Sequence, residues 1–269
     1  MKNCMVQKKI SKGCPQGSAS GPGFWNLLYN SLLLQIEYTK HTKAIAYADD
    51  LMILVKEKPQ IEVENYASIE TQKVAKWARN NKMCFNDQKS KVTIITKKRP
   101  KNRRDFKIFL NNKTLQQEDT IKYLGITIDR RFNFNHHIDN ITGKCIKIIH
   151  TLSKCAKINW GLRYDLLRII DNGAILPILS YGAPVWIEGL QRKHNATKFK
   201  RVQRLINMKI ARAYRTTSYE ALCVLKGITP ILIELRNQVK IYYNTRGNTQ
   251  IGMYYAQYTI ANGTTQLTQ

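Results

Sequence analysis

The sequence AIAYADDLMILV, from Ala44–Val55, decides the fold of the first half of this chain. Two apolar runs flank the tetrapeptide Tyr47–Asp50, and each run has the length and composition of a short buried β-strand. The break between the runs carries two adjacent acidic residues. The pattern therefore predicts a β-hairpin with a pair of carboxylates at its tip.

The carboxylates of Asp49 and Asp50 are costly to place beside apolar strands unless a cation compensates their charge. Hard divalent cations such as magnesium take carboxylate oxygens as ligands. Pairs of such ions hold the attacking and leaving oxygens of a phosphoryl transfer. The plainer alternative is that the two acids only fill a hairpin turn. Taken alone, the pair favours the plain turn; the neighbouring motifs favour the metal site.

The chain is strongly basic. Its 269 residues include 44 Lys+Arg against 18 Asp+Glu, a formal net charge of +26, and 43% of them are hydrophobic. This length and hydrophobic content predict a globular protein with one large domain or two small ones. The charge predicts a polyanionic partner, with nucleic acid the first candidate and a membrane surface the second. No basic helix has a strong lipid-facing side, so we expect no membrane partner.

The six cysteines form no CxxC pair and have no accompanying histidine spacing. We therefore expect neither a zinc site nor a disulfide framework, but reduced cysteines packed as small apolar residues. The N-terminus has no long apolar stretch, so we expect no signal peptide and an intracellular protein, cytoplasmic or nuclear. The most apolar run, Ile169–Ile187, contains Asp171, Asn172 and two prolines, which favours buried core over a membrane span.

The first half mixes helices with strands. A strand is predicted at 5–12, and a helix with Pro22 in its first turn begins after a cap at Ser20. A second helix is predicted from about Ile61 to Asn80. Further short strands are predicted at 92–96, 106–110 and 121–128. The inward side chains predicted by helical spacing are Phe24, Leu27, Leu28, Leu32 and Ile36, then Tyr66, Ile69, Val74, Trp77 and Ala78.

From about Phe134 the pattern becomes helical. A narrow apolar seam predicts a long helix that packs within the molecule, since the seam is too short for a coiled coil. Another amphipathic helix is predicted from Lys198 to Tyr214, and a last helix after Thr229-Pro230. The apolar positions of the first two are Ile138, Ile141, Cys145, Ile148, Leu152 and Cys155, then Phe199, Val202, Ile206 and Ile210.

A glycine-containing loop, GCPQGS at Gly13–Ser18, precedes the acidic pair by about thirty residues. Gly13 and Gly17 remove side chains where a backbone must approach a ligand closely. Gln16 offers a neutral donor and acceptor. The free N–H groups of the following helix point back at this loop, which suits a phosphate or a base pair. The alternative is a tight turn before a helix.

Two further motifs follow the acidic pair. The sequence NDQKS at Asn86–Ser90 places Lys89 in a polar turn after a helix, where it can approach a leaving pyrophosphate as charge stabiliser or proton donor. The alternative is a solvated surface lysine. The sequence YLG at Tyr123–Gly125 lies in a strand and turn, and its alternative is an ordinary hairpin.

In their order and spacing, these four motifs resemble the palm of reverse transcriptases, and the resemblance covers about Met5 to Gly247. The matches are Gly13–Ser18 to motif B, Tyr47–Asp50 to the metal-binding motif C, Asn86–Ser90 to motif D, and Tyr123–Gly125 to motif E, the primer grip. The phrase GSASGPGFWNL at Gly17–Leu27 is similar to that of non-LTR retrotransposons, the Jockey-like insect elements in particular. LSYGAPVW at Leu179–Trp186 is typical of the same group after the palm.

The resemblance implies an RNA-directed DNA polymerase that uses two magnesium ions, an RNA template, a DNA primer and deoxynucleoside triphosphates. Asp49 would be a magnesium ligand, Asp50 a supporting or weaker ligand, and Lys89 a candidate general acid. The implied substrate contacts are Gly13, Gln16, Gly17 and Tyr47 near the incoming nucleotide and template pair, and Tyr123, Leu124 and Gly125 at the primer terminus.

The fold implied by the resemblance is α+β. Residues 1–130 would form a partial polymerase palm, an antiparallel sheet with helices that carries motifs B to E. Residues 131–244 would form an all-helical thumb and the basic region that follows it. Residues 245–269, rich in Thr, Gln, Asn and Gly, would form a loosely ordered tail.

One departure from the family pattern concerns the metal site. Reverse transcriptases take another metal-ligand Asp from motif A, upstream of motif B, but only twelve residues precede Gly13 and none is acidic. The fingers and the N-terminal endonuclease domain of this class are also missing from the sequence. We therefore predict that this chain alone has no polymerase activity. The alternatives are a non-catalytic nucleic-acid-binding module and a decayed reading frame, which poor solubility would indicate.

Two stretches concentrate the basic charge. Lys89–Lys107 holds nine Lys+Arg and one acid, and Arg192–Tyr219 holds nine Lys+Arg and no acid. The second stretch coincides with a predicted helix, on which its basic side chains lie largely away from the apolar side. We predict that this stripe holds a phosphate backbone without reading sequence; the alternative is a solvated surface. Its residues are Lys198, Arg201, Arg204, Lys209, Arg212 and Arg215.

Overall fold

The protein forms two compact units in a computed structural model. The first unit comprises residues 1–93 and 100–118, and the second comprises 94–99 and 119–269. The structure describes residues 17–36, 41–57, 59–96, 105–155 and 164–246. Helices and small sheets occur in both units, so the α+β class is confirmed. The assignment of 1–130 to a palm, 131–244 to a thumb region and 245–269 to a tail stays a prediction.

In its described part, the first unit combines two long helices with three two-stranded sheets. The helices are α1 (Gly21–Gln35) and α2 (Gln60–Asn80). The strands are β1 (Thr42–Tyr47), β2 (Asp50–Val55), β3 (Lys91–Val92), β4 (Phe109–Leu110), β5 (Lys113–Thr114) and β6 (Gln116–Gln117). The β1–β2 and β4–β5 pairs are antiparallel, and β3 pairs with β6 in parallel.

Several predicted boundaries in this unit were wrong. The strand predicted at 106–110 shortens to β4 because the Gln117 side chain, instead of a neighbouring strand, accepts the hydrogen bond of the Phe106 N–H (3.0 Å). The strand predicted at 92–96 shortens because its partner β6 has two residues. Ser20 makes no side-chain cap. The Ser18 hydroxyl accepts a hydrogen bond from the Gly21 N–H instead (3.2 Å). The strand predicted at 5–12 lies outside the described residues.

The core of the first unit lies between α1, β1 and α2. Its buried side chains include Leu32, Ile36 and Trp77, as predicted. Phe24 and Leu27, predicted to face inward, are 58% and 74% exposed. They lie on the far side of α1, because Trp25, Leu28, Tyr29 and Leu32 form the side that packs on the core.

The buried side of α2 also differs from the prediction in its first half. Val74, Trp77 and Ala78 are buried as expected, but Ile69 is exposed and Glu70 is buried. The Glu70 carboxylate lies 3.1 Å from the Lys73 ammonium. Because Lys73 compensates its charge, Glu70 can be buried. The apolar periodicity had predicted that the neighbouring residue, Ile69, would be buried instead.

The second unit begins with a hairpin and continues as helices. The hairpin is β7 (Thr120–Tyr123) and β8 (Ile126–Asp129), paired antiparallel. The helices are α3 (Asn135–Cys155), α4 (Tyr164–Ile170), α5 (Leu176–Ser180), α6 (Ala183–Trp186), α7 (Lys193–Ala211), α8 (Tyr219–Lys226) and α9 (Ile231–Arg246). A π-helical turn (Asp171–Ile175) joins α4 to α5, and a 3-10 turn (Ile187–Gln191) follows α6.

The single strand predicted at 121–128 is therefore two strands, because Leu124 and Gly125 both adopt left-handed conformations and reverse the chain. The predicted helix from Lys198 ends before Tyr214, since Arg212 adopts a left-handed cap conformation (φ 48°). The four residues predicted to face inward, Phe199, Val202, Ile206 and Ile210, are buried. The polar residues Asn195, Gln203 and Asn207 are buried as well. The last helix does start after Pro230.

Trp186 and Phe199 lie at the centre of the second core, with ring centroids 5.4 Å apart. Ile175, Leu179 and Ala183, from the most apolar stretch of the sequence, are buried in the same core. In the described part of the chain, no single helix is long and apolar enough to span a membrane. The helices Asp165–Ser180 and Ala183–Gln191 meet those criteria only as a pair, bent by 46°.

Among the described cysteines, Cys145 and Cys223 are buried, as expected of small apolar residues, but Cys84 is exposed. Cys84 follows the end of α2, in the segment that leads to the exposed turn at Asn86. Burial raises the pKa of the Cys145 thiol to about 12. The Cys145 thiol is therefore protonated and unreactive at neutral pH.

Candidate active site

The acidic pair lies at the tip of the β1–β2 hairpin. Tyr47 pairs with Asp50 as the last rung of the ladder, and Ala48 and Asp49 form the turn. Ala48 adopts a left-handed conformation with φ 51°, which is uncommon for a residue with a side chain. The side chains of Tyr47, Asp49 and Asp50 are all exposed. The predicted hairpin is confirmed, and it presents both carboxylates to solvent.

An aromatic side chain holds this turn from the preceding helix. The Trp25 indole N–H donates to the Ala48 carbonyl oxygen at 2.8 Å. The Trp25 ring stacks on Tyr29 with centroids 5.0 Å apart, and Tyr29 meets the edge of Trp77 at 5.9 Å. Trp77 in turn donates its indole N–H to the Ser31 hydroxyl at 2.8 Å. The turn beside Asp49 is therefore anchored to the core of the first unit.

Two adjacent carboxylates suit one hard divalent cation, because each brings oxygen ligands and negative charge. Among the described residues, no group of three or more His, Cys, Asp and Glu side chains could hold a metal ion. The described residues therefore do not provide the ligand set of a complete two-ion site. Asp49 and Asp50 remain the candidate ligands for one ion.

The glycine-containing loop is only partly described. Gly13 and Gln16 lie outside the described residues. Gly17 is exposed and left-handed, with φ 85°, a conformation that favours glycine. Beyond it, the Ser18 hydroxyl caps α1 at Gly21. This capped helix carries Trp25, so the residues after Gly17 position the donor that holds the Ala48 turn.

Lys89 lies in a well-defined polar turn. The Asn86 side-chain oxygen accepts hydrogen bonds from the backbone N–H groups of Gln88 (3.0 Å) and Lys89 (3.1 Å). The neighbouring Asp87 carboxylate lies 2.6 Å from the Lys113 ammonium, and this hydrogen bond lowers the pKa of Asp87. Lys89 itself is exposed. The turn fixes its backbone and leaves its side chain in solvent.

Tyr123, Leu124 and Gly125 belong to the second unit, where they end β7 and form the turn to β8. Both turn residues have positive φ, 45° at Leu124 and 82° at Gly125, as two-residue hairpins prefer. The Tyr181 hydroxyl donates to the Leu124 carbonyl at 3.0 Å. Tyr181 comes from the LSYGAPVW stretch, so two motifs of the resemblance meet in one place.

The predicted basic stripe on α7 separates into two groups. Arg201, Lys209, Arg212 and Arg215 are exposed. Lys198 pairs with Asp139, and the Arg204 guanidinium donates to the carbonyls of Arg215 and Thr217. Arg204 thus fixes the loop between α7 and α8. The binding of nucleic acid by these residues stays a prediction.

Sequence reasoning missed the roles of Trp25, Ser18 and Tyr181. Trp25 and Tyr181 both lie in stretches that the resemblance singled out, but no local pattern states which carbonyl each would reach. Those partners are 23 and 57 residues away in the chain. Ser18 lies close to Ser20, and either serine fits the cap pattern.

A protein-family comparison matches residues 1–128 to "Reverse transcriptase (RNA-dependent DNA polymerase)". The chain is 30% identical to a Pol polyprotein from the type-1 retrotransposable element R1 of Bradysia coprophila, over 85% of this chain and 23% of that protein. It is 30% identical to an R1 Pol polyprotein of Nasonia vitripennis, over 82% of this chain and 66% of that protein.

It is also 26% identical to the RNA-directed DNA polymerase from mobile element jockey of Drosophila melanogaster, over 73% of this chain and 21% of that protein. No solved structure matches the chain. The chain spans less than two thirds of the length of each of these curated relatives.

Proposed function

Because this chain belongs to the reverse transcriptases of non-LTR retrotransposons, we propose that it contributes the motif B to E part of an RNA-directed DNA polymerase. The reaction is nucleotidyl transfer onto a DNA primer paired with an RNA template. Asp49 and Asp50 would hold a magnesium ion, and Lys89 would act as general acid toward the leaving pyrophosphate. The ion would stabilise the negative charge that develops on the reacting phosphate.

The observation that carries this proposal is the anchored turn. Asp49 and Asp50 are exposed side by side on a hairpin whose turn carbonyl accepts a hydrogen bond from Trp25. The hydrogen bond restricts the turn that carries the carboxylates, and catalysis requires ligands that are held within a fraction of an ångström. The family's substrate roles for Gly13, Gln16, Gly17, Tyr47 and Tyr123–Gly125 accompany this proposal.

The test is primer extension with two forms of the protein. The 269-residue chain alone is expected to be inactive, because the described residues lack a complete set of metal ligands. A fusion to an upstream segment that supplies fingers and an acidic motif A is expected to extend a DNA primer on RNA with magnesium. Asp49→Asn in the fusion is expected to abolish extension, and Glu62→Gln, which replaces an exposed acid at the start of α2 outside the four motifs, to leave it intact. Extension by the chain alone, lost in Asp49→Asn, would refute the predicted inactivity.

The second unit supports the same proposal through its charge. Arg201, Lys209, Arg212 and Arg215 are exposed in a stretch, Arg192–Tyr219, that holds nine basic residues and no acid. Side chains of this kind neutralise phosphates irrespective of sequence. Binding to a template–primer duplex is expected to weaken steeply with salt. Replacing Arg201 and Arg212 by Gln is expected to reduce the slope of log affinity against log salt by about two.

A second candidate function is nucleic-acid binding without catalysis. It is favoured by the incomplete set of metal ligands among the described residues, together with the exposed basic residues of α7. If the protein binds nucleic acid without catalysis, the fusion protein is expected to bind the template–primer duplex but not to extend the primer. A decayed reading frame without a stable product is the third alternative. A soluble monomer with a cooperative unfolding transition would count against it.

A further inference from the structure

Tyr214 is the most exposed large hydrophobic side chain in the part of the chain that the structure describes, with 86% of its surface open to solvent. Single exposed apolar residues are common on protein surfaces, so exposure alone does not indicate a binding site. The other exposed tyrosines that the structure describes in the second unit have local partners, however. Tyr181 donates to Leu124, and Tyr242 packs against Tyr243 and lies below Arg246.

The loop that carries Tyr214 is fixed at both ends. Its start is the left-handed cap at Arg212, and its end is Ser218, whose hydroxyl caps α8 by accepting from the Ala221 N–H (3.1 Å). Within the loop, the Thr217 N–H donates to the Tyr214 carbonyl at 3.1 Å. The ring therefore projects from a defined turn.

Arg204 fixes the loop from below. Its guanidinium donates to the Thr217 carbonyl at 3.2 Å and 3.0 Å, and also to the Arg215 carbonyl. An arginine bound in this way holds the backbone in place and adds positive charge beside it. Tyr214 is thus presented on a loop that loses little further freedom when the ring gains a partner.

The surroundings of Tyr214 are cationic. Arg212 and Arg215 flank it and are exposed. Arg201 lies eleven residues before Arg212, which is about three helical turns and therefore the same side of α7. Arg201 and Arg212 are therefore about 16 Å apart along the helix axis. An exposed aromatic ring beside exposed basic side chains is an arrangement that binds single-stranded nucleic acid.

We propose that Tyr214 is a stacking platform for an unpaired base of a single-stranded nucleic acid whose phosphates lie along Arg201, Arg212 and Arg215. The occupant is single-stranded because base faces inside a duplex are already stacked on one another, and opening them has a cost. A ring that stacks on a base face does not read the sequence. This inference rests on the proposed function, in which the second unit binds nucleic acid.

The experiment measures the affinity of the full chain for labelled 12-nucleotide probes by fluorescence anisotropy at several salt concentrations. The probes are a deoxythymidine oligonucleotide, a uridine oligonucleotide and a 12-base-pair duplex. Tyr214→Ala is expected to weaken single-strand binding by roughly 5- to 100-fold. Its salt slope is expected to match the wild type, because no phosphate contact is lost. A weaker affinity of Tyr214→Ala for the deoxythymidine or the uridine oligonucleotide supports base stacking on Tyr214. It also identifies whether the ring holds DNA or RNA.

Two variants sharpen the result. Tyr214→Phe keeps the ring and is expected to bind like the wild type. Tyr242→Ala, which removes another exposed tyrosine of the second unit, is expected to leave binding unchanged. Wild-type affinity in Tyr214→Ala, or an equal loss for duplex and single strand, would overturn the proposal. If the wild type binds no probe in a salt-dependent way, the proposed nucleic-acid binding fails as well, so the two failures are distinguishable.

Arg204→Lys tests how the loop is held. This variant keeps the positive charge but lacks the planar fork that reaches both carbonyls. Single-strand affinity is expected to fall several-fold with an unchanged salt slope, because the loop loosens while the charge stays. An affinity equal to that of the wild type would overturn the positioning role of Arg204.

Discussion

The β1–β2 and β7–β8 hairpins share one construction but differ in their support. Each has a tyrosine before a two-residue turn, Tyr47 in the first and Tyr123 in the second, and a left-handed first turn residue. In each, an aromatic side chain donates to that residue's carbonyl: Trp25 at 2.8 Å and Tyr181 at 3.0 Å.

The difference lies in the second turn residue and in what surrounds it. Gly125 is left-handed and exposed, and a Cβ placed on it would lie 3.2 Å from the Tyr181 ring, so this ring packs against the β7–β8 turn. Asp49 is exposed and carries charge. The backbones also differ, since Leu124 and Gly125 are both left-handed, whereas in the first turn Ala48 is and Asp49 is not. Close packing fixes a backbone shape, whereas an open turn with a single anchor keeps carboxylate oxygens available to a cation.

The largest effect is expected behind the packed hairpin, at Gly182. Its φ is 63°, and an added Cβ would lie 2.6 Å from the Ile126 side chain of β8. Gly182→Ala is expected to lower the free energy of unfolding by roughly 2–4 kcal/mol, from backbone strain and overpacking together. Urea denaturation measures this. Gly143→Ala is the control, since Gly143 lies within α3 with open space around it, and a gain of up to about 1 kcal/mol is expected there.

Gly182 also shows which parts of the fold the sequence can predict. Long periodic helices such as α7, with Phe199, Val202 and Ile206 inward, follow from local spacing. The requirement for glycine at 182 follows from Ile126, 56 residues earlier in the chain, which no local pattern contains. The buried side of α2 was predicted wrongly at Ile69 for a different reason, since Lys73, the partner of the buried Glu70, lies only three residues away.

The candidate site also has one part that follows from local sequence and another that depends on residues distant in the chain. Asp49, Asp50 and the hairpin that carries them were predicted, because two apolar strands and an acidic turn are a local pattern. The hydrogen bond from Trp25 to Ala48 joins residues 23 apart, and the sequence carries no signal for it. The roles of Lys89 and Tyr123–Gly125 were predicted from the resemblance to the family. Their residues alone are also typical of a solvated surface lysine and an ordinary hairpin.

Exchanging the turn residues tests the comparison directly. Gly125→Ala places a side chain in a left-handed conformation against Tyr181, and we expect it to destabilise the protein by about 1–2 kcal/mol. Ala48→Gly relieves a left-handed alanine and is expected to stabilise it by about 0.5–1 kcal/mol. Denaturation of both variants checks the opposite signs. If the two substitutions changed the free energy of unfolding in the same direction, the comparison between the two turns would be wrong.

The packed hairpin should also respond to pH. The Thr127 N–H of β8 donates to Nδ1 of the buried His137 at 3.3 Å, and burial lowers the pKa of His137. Below about pH 6.5 the histidine of the unfolded chain takes up a proton more readily than buried His137 in the folded chain, because the pKa of His137 is lowered. The free energy of unfolding therefore falls as the pH drops below 6.5, by up to about 1.4 kcal/mol per pH unit.

Denaturation curves between pH 7 and pH 5 measure this slope. His137→Asn is expected to flatten it, although the variant starts from a lower stability at pH 7. His150→Asn, which replaces an exposed histidine of α3, is expected to keep the wild-type slope. An identical slope in His137→Asn and the wild type would exclude His137 as its source.

The smallest effects concern the two aromatic donors themselves. Trp25→Phe keeps a ring against Tyr29 but removes the N–H that holds Ala48, and Tyr181→Phe removes only the hydroxyl that holds Leu124. Each loss is expected to cost about 0.5–1.5 kcal/mol. Hydrogen–deuterium exchange is expected to rise in β1–β2 only for the first variant and in β7–β8 only for the second. A rise in both hairpins for either variant would mean that the anchors act on the whole protein instead of on single turns. Manganese titration separates the two further. Because only the first hairpin carries carboxylates at its turn, Trp25→Phe is expected to weaken binding at Asp49 and Asp50, and Tyr181→Phe to leave it unchanged.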